Sequence, residues 1–148
     1  MTALHNSPPS ETQKIAPEQW ADIGVNLTDR QFHDDREAVI ERAACAGVTW
    51  QLITGTTIDD SRAAIALADE HSGLFATAGL HPHSARFYSA ALEAELRDLL
   101  AHEQIKAAGE MGLDFNRDFS PRPEQERAFE AQLAPGGGIQ IAGFSSRA

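Results

Sequence analysis

Gly109-Glu110-Met111-Gly112-Leu113-Asp114-Phe115 follows directly on the apolar run Ile105-Lys106-Ala107-Ala108, and this junction decides how the chain reads. The run has the character of a buried strand, and the glycine-flanked turn after it carries two carboxylates. A carboxylate leaving an apolar strand loses water on one side. A divalent cation is among the few partners that make such a placement favourable. The stretch points to metal-dependent hydrolytic chemistry at the end of a buried strand.

Working outward, short apolar runs alternate with longer amphipathic ones from residue 21 onward. Strands are predicted over 21–27, 48–54, 74–80 and 105–109. Helices are predicted over 36–46, 57–71, 89–102 and 123–133. In the first helix Val39, Ile40, Ala43 and Ala44 share a face, and Gly47 ends it. Ile58, Ile65, Leu67 and Ala68 supply the apolar positions of the second, which Gly73 closes. Ser89 is placed to cap the third, where Leu92, Leu96, Leu99 and Leu100 are spaced three or four apart. Phe129 and Leu133 are expected to face inward from the fourth, Glu124 and Glu126 to favour its N-terminal dipole, and Trp50 and Phe75 to lie in the core or pack against helices. Four strand–helix units in series imply an α/β fold with a parallel sheet and right-handed crossovers.

The chain has 148 residues, enough for one domain but short of the roughly 250 that a closed eight-stranded barrel takes. It has room for about half of one. Twelve basic against 22 acidic residues give a formal charge of −10, which opposes nucleic-acid binding through a broad basic face. Any phosphate substrate would need a metal, or residues this sequence does not contain, to offset that field. Cys45 is the only cysteine, so no intrachain disulfide can form and a reducing cytoplasm is the simpler compartment. No apolar run is long enough for a transmembrane helix. Residues 1–20 contain Ser7-Pro8-Pro9-Ser10 and no hydrophobic segment, and read as a flexible tail rather than a signal peptide.

Polar residues of chemical interest gather just past the strand ends, the edge where parallel α/β folds bind ligands. Asp22 and Asn26 belong to the first such end, Thr54 and Thr56 to the second, His81 and His83 to the third, and Glu110 and Asp114 to the fourth. Each has a plainer reading. Histidines in turns are commonly surface or capping residues, although two in one turn at this edge also suit metal or phosphate. Glu110 could cap the following turn, and Asp114 could nucleate one or pair with Arg117. His5, His33, His71 and His102 read as solvated surface.

Asp22-Ile23-Gly24-Val25-Asn26-Leu27, Leu52-Ile53-Thr54-Gly55-Thr56, Ala78-Gly79-Leu80-His81-Pro82-His83 and the Gly109–Phe115 stretch, followed by Glu124-Gln125-Glu126-Arg127-Ala128-Phe129, agree with one family in order and spacing. Over about residues 22–133 the chain resembles the N-terminal half of TatD-type metal-dependent deoxyribonucleases. That resemblance implies a TIM-barrel fold of the amidohydrolase-like kind, truncated here to about four βα units. It also implies a divalent metal ion, Mg²⁺ by expectation, and hydrolysis of phosphodiester bonds in DNA. It makes Glu110 a metal ligand, and His81, His83, Asp114 and Asn26 candidates for contacting substrate or supporting the metal ligands. No catalytic residue is assigned. Many members carry a His-x-His pair after the first strand where this chain has Gly24 and Asn26, a pattern similar to the branch closest to TatD itself.

Residues 135–148 depart from the family. Three consecutive glycines after Pro135 would break a helix continuing from the preceding segment. Codons permitted for 139–147, read one base later, give Phe-Arg-Leu-Pro-Val-Phe-Leu-His, which resembles the family's next strand with its histidine. A frameshifted tail is therefore expected, with residues 21–134 forming the half barrel. An open half barrel would expose strand edges and inner apolar surface, which predicts weak thermal cooperativity and self-association through those edges. Two other readings use the same residues: a non-catalytic fragment or interaction module, and a small-molecule metal hydrolase of the same superfamily.

Overall fold

The computed structural model describes residues 19–133. They form β1 (Trp20–Val25), α1 (Arg36–Cys45), β2 (Val48–Ile53), α2 (Ile58–Glu70), β3 (Leu74–Ala78), α3 (Ala90–Leu100), β4 (Ile105–Ala108) and α4 (Arg122–Leu133). Short 3-10 turns occupy Arg30–Phe32 and Pro82–Phe87. The strands make one parallel sheet in the order β1-β2-β3-β4, so each crossover returns the chain to the next strand along. Every strand ends at the same edge.

Local sequence explains the helix boundaries. Thr57 accepts the Asp60 N–H at 3.1 Å and Ser89 accepts the Leu92 N–H at 3.2 Å, each satisfying a donor that the first turn leaves free. Gly47 and Gly73, both at positive φ, follow α1 and α2 as expected. The main core lies between the sheet and the helices α2 and α3. Ile53, Leu74, Ala76 and Ile105 point from the sheet into Ala64, Ile65, Ala68, Leu96 and Leu100. Full burial of each large aliphatic side chain there stabilises the fold by about 1.5–3 kcal/mol.

Three sequence expectations are corrected. Trp50 is 56 % exposed rather than core, and Phe75 is half-buried. The two rings meet at 4.8 Å on the sheet face opposite the helices, beside an apolar hollow of about 130 Å³ that Ile23, Leu52 and Lys106 help to line. Strand side chains alternate between faces, and α2 and α3 cover only one. Ala44 is exposed because α1 meets the sheet through Val39 and Ile40. Leu133 is also exposed and Phe129 only half-buried, whereas α4 buries Gln125, Ala128 and Gln132. That helix packs on the backbone of the loops beyond β3 and β4, where carboxamides satisfy peptide groups that an aliphatic side chain cannot. Ala128 joins Leu80 and Ala85 in a small second core there.

Candidate active site

The strand-end loops are laced together by backbone hydrogen bonds. The Thr54 N–H donates to the Val25 carbonyl at 3.0 Å, His81 N–H to Thr56 at 2.9 Å, and Glu110 N–H to Gly55 at 2.8 Å. The buried Thr77 hydroxyl accepts the Gly55 N–H at 3.0 Å. Gly79 and Gly109 shape the contact between two of these loops. A Cβ on Gly79 would lie 2.5 Å from the carbonyl carbon of Gly109 and 2.8 Å from the Glu110 carbonyl oxygen, so the loops after β3 and β4 touch there, backbone to backbone. Gly109 itself sits at φ 142°, a region side chains disfavour, and turns the chain out of β4; its peptide to Glu110 is cis.

Asn26, Thr54, Thr77 and Glu110 line a cavity of about 360 Å³ at this rim, together with Ile23, Gly24 and Gly109. Asn26 and Thr54 also border a neighbouring hollow of about 250 Å³ that reaches Thr56 and Asp60, whose side chains are hydrogen-bonded to each other. Asp22 lies away from this wall, its carboxylate accepting the Gly24 N–H at 3.3 Å. Residues singled out after the first, second and fourth strands thus line one cavity, and His81 joins them through Glu110, while Asp22 stands apart.

Two carboxylate–imidazole pairs stand side by side. The His81 Nδ1 accepts the His83 N–H at 3.2 Å, so a neutral His81 ring carries its proton on Nε2, which faces the Glu110 carboxylate at 3.5 Å. Burial pushes the His81 pKa down and favours that neutral form, against the pull of the Glu110 charge. The His83 Nε2 meets Asp114 Oδ2 at 2.6 Å, and the two imidazoles pack edge to face at 4.3 Å. Asp114 is held well below the usual carboxylate range, first by the Arg117 N–H, then by His83 and the Asn116 N–H. Arg117 also reaches it at 3.4 Å, as read from the sequence.

Glu110 is exposed at the cavity mouth, and its neighbours on the wall are a carboxamide and hydroxyls. These are hard oxygen donors, which fit a hydrated hard cation held through one carboxylate and waters. Among the described residues, no three acidic, histidine or cysteine side chains converge on one point.

Sequence reasoning missed the residues that hold the loops. Buried Gln132 bonds both the N–H (2.8 Å) and the carbonyl (3.2 Å) of Leu80, and Gln125 does the same for Asp114 at 2.7 and 3.3 Å. Buried Ser120 donates to the His83 carbonyl at 2.8 Å and accepts the Arg86 N–H at 3.1 Å. Their one legible signal was the seven-residue spacing of the glutamines around Ala128, which puts all three on one helical face. Of the remaining histidines, His33 is exposed, while His71 faces Glu37 at 3.3 Å and is half-buried, and His102 faces Asp69 at 3.8 Å. His5 lies outside the described residues, as do 1–18 and 134–148, which contain nearly all of the leader and the whole glycine-rich tail.

Consecutive βα units with polar groups gathered beyond the strand ends define the TIM-barrel class of α/β protein, here as four units. Comparison with known proteins narrows the class. Residues 21–139 match the family model described as TatD related DNase, and the chain belongs to that family. It is 55 % identical over 114 residues to the 3'-5' ssDNA/RNA exonuclease TatD of Musicola paradisiaca, covering 76 % of this chain and 43 % of the relative. To the protein of the same name from Pantoea sp. it is 52 % identical, covering 83 % and 48 %. Among solved structures it resembles the TatD homologue YJJV of Escherichia coli K12, with TM-score 0.69 and 30 % identity over 77 % of this chain and 45 % of that one. A TatD family hydrolase from Entamoeba histolytica gives TM-score 0.70 and 27 % identity, covering 76 % and 44 %. The chain spans less than half the length of these relatives. No helix among the described residues is long and apolar enough to cross a membrane.

Proposed function

We propose that this chain provides the first half, about residues 21–134, of the active site of a divalent-metal-dependent nuclease that hydrolyses phosphodiester bonds in DNA. The observation carrying this reading is Glu110, presented on the wall of a rim cavity with His81 Nε2 behind it at 3.5 Å. Glu110 would hold the cation, and Mg²⁺ suits its oxygen donor and open surroundings. Such an ion supplies Lewis acidity: it lowers the pKa of a water and neutralises charge on the phosphate.

The protein's own groups have separable roles. A neutral His81, with its proton on Nε2, orients the Glu110 carboxylate toward the cavity. The His83–Asp114 pair fixes the turn carrying both histidines and presents its polar edge to the phosphate. Asn26, lining the same cavity, offers a donor and an acceptor for positioning substrate. We place the protein in the cytoplasm, a reading that its single free cysteine, Cys45, supports.

The test measures binding and cleavage separately. Titration calorimetry with MgCl₂ and MnCl₂ should give binding to the wild type that Glu110→Ala abolishes. Single-stranded DNA cleavage, where present, should need the metal and Glu110 together. Metal affinity unaltered by Glu110→Ala would remove Glu110 from the site.

A further inference from the structure

Three exposed aromatic rings lie together at one end of the sheet. Phe87, Phe115 and Phe119 all lie on the loops that follow β3 and β4, at the rim that carries the histidines. Phe119 is 57 % exposed, yet its ring meets the His83 ring edge to face at 4.6 Å. Its backbone is anchored on the C-terminal side. Arg86 Nη1 donates to the Phe119 carbonyl at 2.6 Å, and the next residue, Ser120, is fully buried and bonded to His83. An apolar ring mounted rigidly and left open to water is a surface awaiting a flat partner.

Guanidinium groups stand beside these rings, although Asp114 and Asp118 lie on the same loop as Phe119. In a protein of net charge −10, Arg86 lies 4.8 Å over the Phe87 ring and Arg127 lies 5.5 Å over Tyr88. Among the described residues, neither guanidinium is paired with a carboxylate. Uncompensated guanidinium groups next to exposed rings combine the two features that hold single strands: a cation for the phosphate and a π-face for the base.

We propose that Phe119, flanked by Arg86 and Phe87, is a stacking platform for an unpaired nucleobase of a single-stranded nucleic acid whose backbone passes the His81–His83 turn. The proposal rests on the nucleic-acid reading above for its substrate class. A base within a duplex is already stacked and paired, so the platform favours single strands. Every base has a π-face, so it discriminates little between sequences.

The test reads equilibrium binding in EDTA, where hydrolysis does not intervene. A short single-stranded oligodeoxynucleotide containing a fluorescent purine is titrated into wild type and into the Phe119→Ala, Phe119→Leu and Phe119→Tyr variants, each first checked by circular dichroism. The expected result is quenching of the purine by wild type and Phe119→Tyr. Affinity should fall about tenfold in Phe119→Ala, with Phe119→Leu similarly impaired, and an abasic strand should bind all four alike. An oligoribonucleotide of the same sequence distinguishes RNA from DNA as the preferred source of the base. Equal affinities for wild type and Phe119→Ala overturn the platform, as does full binding by Phe119→Leu or no binding by the wild type. Stacking without metal-dependent cleavage would leave the platform standing and remove the hydrolytic reading; cleavage with unchanged affinity in Phe119→Ala would do the reverse.

Discussion

The side chain of Gln132 grips the peptide of Leu80 from both sides, its oxygen accepting the N–H at 2.8 Å and its amide donating to the carbonyl at 3.2 Å. Leu80 immediately precedes His81, so the last helix indexes the histidine turn from 52 residues away in sequence. Gln125 treats the backbone of Asp114 in the same way. α4 is therefore the brace of the site.

Removing that grip leaves buried peptide groups without partners. Gln132→Ala should destabilise the protein by about 1–3 kcal/mol, and Gln132→Met, which restores volume but not hydrogen bonds, should recover little of it. Urea denaturation followed by circular dichroism checks both. Full recovery in the methionine variant would show that volume, not bonding, is what matters.

The meeting of the loops after β3 and β4 predicts a contrast between two glycines. Gly79→Ala would drive a methyl group into the Gly109 backbone at 2.5 Å, where nothing can yield without moving Glu110, and should cost at least 2 kcal/mol by order of magnitude. Gly24→Ala meets nothing within 4 Å and should stay within about 0.5 kcal/mol of wild type. Equal effects in thermal melts would contradict the close approach.

Asp114 predicts acid sensitivity. Its folded-state pKa is depressed below the ordinary 3.8, so its contribution is complete above that value and is lost as pH falls toward the folded pKa. Asp114→Asn should therefore be less stable than wild type at neutral pH, with the difference shrinking below pH 3.8. A gap independent of pH would mean that the charge plays no part.

The uncovered face of the sheet carries a prediction for the chain as a whole. Among the described residues β1 and β4 are each paired on one side only, and Trp50 is open to solvent. Heating should give a broad transition with intrinsic tryptophan fluorescence already red-shifted in the native state. Calorimetry showing a sharp monomeric transition above about 55 °C would argue against this.

The order of elements was legible because periodicity is a local property. Apolar spacing and the caps Thr57 and Ser89 act within a few residues, and the observed helix ends lie within two residues of those expected. Trp50 and Leu133 were misread because apolarity alone does not say which face of a strand or helix finds a neighbour. Gln125, Gln132 and Ser120 were passed over because polar residues are ordinarily solvated, and only the folded chain puts peptide groups beside them.

From the sequence alone came the alternation of strand and helix, the parallel sheet, and the convergence of Asn26, His81, His83, Glu110 and Asp114 on one edge, since all parallel strands end there. Tertiary structure alone decided which carboxylate faces which imidazole, which ring stays open to water, and that α4 holds the loops through two glutamines. Those choices depend on contacts between residues as far as 52 positions apart, over which spacing along the chain carries no geometric information.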